Sequence, residues 1–167
     1  DELQDEEIFV EPIPEDVREE VAELEEVIEE VIEIEEIVEV LDEEELRSKY
    51  IKPFKESINM GVGSIMVSYN SWKGQKLHGH KYLINDVLKK ELGFDGIVVS
   101  DWAGINELDK DYKTCIIQSI NAGIDMNMVP GSLNPDDNSY DDFIRLAIES
   151  VKEGSIPMER IDDAVSR

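Results

Sequence analysis

The sequence predicts an α/β fold in which about three parallel strands alternate with helices. Two observations carry this. Three short segments of strand length, rich in apolar residues, occupy residues 64–69, 96–100 and 124–129. Between them, apolar residues recur every three or four positions, the period of a helix with one buried face. Strands separated by helices pair in parallel through right-handed crossovers. Nearly continuous apolar strands also predict a sheet buried on both faces.

The elements follow in chain order. Residues 1–14 are acidic, and Pro12 and Pro14 make them an extended lead-in. Val17, Val21, Leu24, Val27, Ile28 and Val31 form a helical stripe with glutamate on the other face. Glu–Glu pairs at i,i+4 repel and weaken it. Residues 32–40 suit either strand or helix, and we read a continued helix. Asp42 and Glu45 form a capping-box pair opening a helix over 43–59. Its buried face is Leu46, Tyr50, Pro53, Phe54 and Ile58; Pro53 demands a kink or a break. After the first strand comes a loop, 70–80, then a helix over 81–92 stopped by Gly93. A helix over 111–122 ends at Gly123. Ser139 and Asp142 cap a helix to about Glu153, and Pro157 opens a last one.

Composition limits the function classes. The chain has 167 residues, 41% of them hydrophobic, enough for one domain with a core. A complete (β/α)₈ barrel needs roughly 250 residues and at least about 200. Residues 1–46 hold 23 of the 41 acids against one arginine, while 47–167 are nearly balanced. The negative field argues against nucleic acid, and no basic amphipathic stretch suits a membrane surface. No run of about 18 apolar residues spans a bilayer, and the acidic start is not a signal peptide. The single cysteine, Cys115, excludes an intrachain disulfide and reads as a buried thiol. His78 and His80 lack the further ligands of a zinc site, so no metal is expected. No nucleotide-binding glycine motif occurs, so no cofactor is expected either. The five methionines read as core and pocket filler.

Parallel α/β sites lie at the carboxyl ends of the strands. The first end offers Tyr69, Asn70 and Trp72, the second Asp101 and Trp102. The third, at Val129 and Pro130, offers little chemistry. A carboxylate ending an apolar strand and followed by tryptophan suits a sugar site. Aromatic faces stack on pyranose rings, and carboxylates bind hydroxyls or attack the anomeric carbon. The same position also suits a helix N-cap.

Four collinear segments over about 43–167 resemble family 3 glycoside hydrolases. They are 66–72, continued by Gly74, Lys76 and His78; 91–102, ending Ser100-Asp101-Trp102; 122–126; and 156–165. The Ser-Asp-Trp form resembles the β-glucosidase and exo-glucanase branch. The resemblance implies a partial (β/α)₈ barrel over 43–167, preceded by the acidic, helical segment 1–42. It implies a retaining mechanism with Asp101 as nucleophile, Tyr69 hydrogen-bonded to it, Met66 lining the sugar pocket and Trp102 as an aromatic wall. The substrate would be a β-glucoside or β-glucan oligosaccharide, in a secreted or periplasmic setting.

Three features of that family are not found here: its Lys-His pair, its opening strands, and its general acid/base, which belongs to a later domain. The expectation is therefore a β-glucosidase-like fragment of weak or no activity alone. The alternative is an inactive structural module, or a piece completed by self-association or by another barrel fragment.

Overall fold

The computed structural model describes residues 41–131 and 138–167. The expected acidic helix with its Val17–Val31 stripe lies outside the described residues, as does the reading of 32–40.

The first helix starts where Asp42 Oδ1 accepts the Glu45 N–H at 2.8 Å. The capping box is half made, because the Glu45 carboxylate pairs with Lys49 instead. Helix α1, Glu43–Glu45, runs through a π-helical stretch, Leu46–Ile51, into α2, Lys52–Asn59. Pro53 accounts for the break in period. It brings no N–H and its ring crowds the carbonyl four residues back, which the wider turns relieve. Gly61, at φ 84°, turns the chain out.

Strand β1, Ser64–Met66, leads into a hairpin where a loop was expected. Its arms are β2, Ser71–Trp72, and β3, Gln75–Lys76. Lys73 and Gly74 both have positive φ, the conformation a two-residue hairpin turn requires. Trp72 is buried, and its indole N–H donates to the Leu41 carbonyl at 2.9 Å. A 3₁₀ turn, Leu77–Gly79, precedes a π-helix, Tyr82–Glu91, where an ordinary α-helix was expected.

Strand β4, Ile97–Val99, pairs in parallel with β1, Ile65 lying opposite Val98. The third expected strand shrinks to one parallel bridge, Val99 to Met126. A 3₁₀ turn, Gly104–Glu107, follows β4. Helix α3, Tyr112–Ala122, is capped by Asp111, which accepts the Thr114 N–H at 2.9 Å, and ends at Gly123. Helix α4, Tyr140–Lys152, has the full Ser139–Asp142 capping box. Helix α5, Met158–Ser166, has Pro157 at its N-cap, one position earlier than expected.

The core joins the sheet to these helices through Ile65, Val67, Phe94, Val98, Ile116 and Ile124. Burial alternates along β1, Ile65 being covered while Ser64 and Met66 are open. The expectation of a sheet buried on both faces is therefore corrected: among the described residues one face is covered. The methionines are corrected with it, since Met60, Met66, Met126 and Met158 are all exposed. The first helix packs loosely too, with Leu46 buried but Tyr50 and Phe54 exposed. An apolar cavity of 240 Å³ lined by Leu46, Tyr50, Phe54, Ile65, Leu83 and Val87 lies along it.

An ionic cluster ties the layers together. Asp125, 1% exposed at its side chain, takes Lys89 Nζ at 2.7 Å and the Val98 N–H at 2.9 Å. Arg160 also pairs with it, and Arg167 donates to the Phe94 carbonyl at 3.0 Å. Burial pulls the Lys89 ammonium below its ordinary range, and its bond to Asp125 opposes that.

Candidate functional site

Asp101 follows the last residue of β4 by two positions, and Tyr69 follows the last residue of β1 by three. Because β1 and β4 are parallel, both fall at the carboxyl edge of the pair. The chain then turns sharply. Ser100 closes the ladder by donating its N–H to the Met126 carbonyl at 2.9 Å. Ala103 adopts a left-handed φ of 54° and donates to the Met128 carbonyl at 3.0 Å. Asp101 Oδ1 accepts the Trp102 N–H at 2.7 Å, so the carboxylate leans over the turn it begins. Ser100 Oγ accepts the Met128 N–H at 2.8 Å and donates to the Asp101 carbonyl at 2.9 Å.

His78, which the sequence presents as a ligand with no partners, has a different role in the structure. It is 1% exposed, and its Nε2 accepts the Asp101 main-chain N–H at 3.0 Å. Gly104 makes room for it: a Cβ there would stand 2.3 Å from Nε2. The Tyr69 ring lies 5.6 Å from the imidazole, centre to centre. His80 turns elsewhere, packing on Trp72 at 5.5 Å. The family-like segment that contains His78 assigns it no role, and its partner comes from another strand end.

Burial lowers His78 below its ordinary pKa of 6.5, against the pull of Asp101 and Glu107. Burial raises the Tyr69 phenol, with the negative charges of Asp101 and Glu107 adding to the effect. The Tyr69 hydroxyl makes no hydrogen bond to Asp101 among the described residues; the two interact through the field alone. Lys76 pairs with Glu107 at 2.9 Å and donates to the Tyr69 carbonyl at 3.3 Å, bracing the two strand ends. Trp102 is 60% exposed and Met66 50%, both open to a ligand. The third strand end is less bare than expected, since Asn127 Oδ1 is buried without a hydrogen-bond partner.

Residues 33–167 match the model for the glycosyl hydrolase family 3 N terminal domain. The chain belongs to glycoside hydrolase family 3. This family 3 chain is similar to probable beta-glucosidase L of Emericella nidulans, with 38% identity over 129 residues. That match covers 75% of this chain and 16% of the relative. A beta-glucosidase of Wickerhamomyces anomalus is 35% identical over 127 residues, covering 76% of this chain and 14% of the relative. Among solved structures, the exo-1,3/1,4-beta-glucanase ExoP of a Pseudoalteromonas species superposes with a TM-score of 0.67 at 41% identity. It covers 76% of this chain and 15% of that one. The beta-glucosidase of Listeria innocua, solved with glucose, gives 0.65 at 25% identity, covering 75% and 17%. The family 3 chain thus spans about one-sixth or less of the length of the curated relatives it matches.

Proposed function

We propose that this family 3 fragment, read as part of a (β/α)₈ barrel over 43–167, carries the nucleophile half of a retaining β-glucosidase site. The observation that supports this is Asp101: a carboxylate at the carboxyl end of a parallel strand, within the Ser100-Asp101-Trp102 turn, in a family 3 sequence. An Asp101 oxygen attacks the anomeric carbon as the bond to the aglycone breaks, and the leaving oxygen takes the electron pair. Water then attacks the anomeric carbon from the opposite face; the ester C–O bond breaks, its electron pair returns to the Asp101 carboxylate, the water proton passes to solvent, and the β configuration is restored. Trp102 offers an aromatic face to the sugar ring and Met66 an apolar floor. Tyr69 lies beside the nucleophile. The ligand is a β-glucoside or a β-glucan oligosaccharide.

Glu107, the carboxylate that acts on Tyr69 and His78 together with Asp101, is engaged by Lys76 rather than free to protonate a leaving group. The chain alone therefore depends on leaving groups that need no proton. Chemical rescue tests this. With a dinitrophenyl β-glucoside and added azide, the product should be β-glucosyl azide, and Asp101→Asn should form none. Release of α-glucosyl azide by the unaltered chain would contradict the retaining mechanism; from Asp101→Asn the α anomer, by direct displacement, would be consistent with it.

A further inference from the structure

We propose that His78 is a positioning residue for this reaction, holding the Asp101 main chain through Nε2 and so fixing where the carboxylate leaves the strand. The inference rests on the reading of Asp101 as nucleophile.

The ladder ends one residue too early to hold Asp101. Ser100 gives its N–H to Met126, but the Asp101 N–H finds no strand acceptor and takes His78 Nε2 at 3.0 Å. A main-chain N–H can only donate, so Nε2 must be unprotonated and the ring neutral. The Asp101 carbonyl accepts from Ser100 Oγ and from the Gly104 N–H at 3.1 Å. With both peptide groups held, the Cα–Cβ bond has one direction. The imidazole is itself held, buried in the Leu77–Gly79 turn, against Gly104 and beside the Tyr69 ring.

The charged and titratable groups facing the ring are Asp101, Glu107, Lys76 and Tyr69. Burial outweighs the two carboxylates and keeps the imidazole neutral at pH 7. Protonation would turn Nε2 into a donor facing a donor. The bond would be lost and Asp101 released from its fixed direction.

Two readouts on the whole chain separate this from the nucleophile reading. The first is NMR without substrate. Coupling across the hydrogen bond should join His78 Nε2 to the Asp101 amide nitrogen, and that amide should shift with the midpoint of His78. An Asp101 amide indifferent to His78 titration, or a ring protonated at Nε2 near pH 7, would overturn the proposal. The second is the labelling rate with a 2-deoxy-2-fluoro-β-glucosyl fluoride. His78→Ala should slow labelling about ten- to a hundredfold, the scale of a misplaced reacting group. His78→Gln, with an amide oxygen where Nε2 stood, should restore most of the rate and lose the acid-side step that His78 imposes. A His78→Ala chain that labels at the unaltered rate with the same pH profile would also overturn it. If the unaltered chain takes no label while the coupling is present, the nucleophile reading fails and the hydrogen bond stands.

Discussion

At the scale of single residues, stability rests on buried charges and buried histidines. Asp125 and Lys89 form a desolvated pair beneath the sheet, with Arg160 as second cation. Removing one member of such a pair strands the other's charge. Asp125→Ala should therefore cost about 3–5 kcal/mol in urea unfolding, and a loss under about 1 kcal/mol would contradict the pairing. The histidines predict a pH dependence. Burial depresses His78 and His80 below 6.5, so in that window the unfolded chain binds more protons than the folded one. Their contribution is whole above about pH 6.5 and is lost as pH falls through the lower folded values. Urea midpoints from pH 7.5 to 5 should fall, and less steeply for His78→Gln. A flat profile in the unaltered chain would contradict the burial.

At the scale of elements, punctuation was more legible in the sequence than geometry. Asp42, Gly123 and the Ser139–Asp142 box sit where their local chemistry puts them, because a cap is satisfied by neighbours within four residues. Ser139→Ala should accordingly lower stability by about 1 kcal/mol. What could not be read depends on distant packing. An i→i+5 turn in Tyr82–Glu91 leaves the same apolar spacing as an α-helix over so short a run. The third strand alternates Ile124, Met126 and Met128 with Asp125 and Asn127, yet its pairing shrinks to one bridge, Val99 to Met126, which no local signal announces. The strand-end position of Asp101 was legible because its own strand carries it to an edge. His78 was not, because it reaches Asp101 across 23 residues of chain. Gly123 joins both kinds of signal. Its φ of 118° and an ideal Cβ 2.9 Å from Ile84 Cγ2 make Gly123→Ala doubly unfavourable, and it should destabilise by more than about 1 kcal/mol.

At the scale of the whole molecule, charge and open surface oppose one another. The formal charge of −25 keeps copies apart, while Met66 and Met126 are half exposed beside the sheet among the described residues. A large apolar surface promotes association once repulsion is screened. Sedimentation at rising salt should therefore show self-association that low salt suppresses; salt-independent behaviour would contradict this balance. The curated relatives are several times longer than this chain, which covers 16% and 14% of two of them. The central claim remains the role of Asp101. Incubating the chain with a 2-deoxy-2-fluoro-β-glucosyl fluoride and mapping the product by mass spectrometry tests it most directly. The account predicts one sugar per chain, on Asp101 in the peptide holding Ser100 and Trp102. A sugar on Glu107 or any other carboxylate, or none on a folded chain, would contradict it.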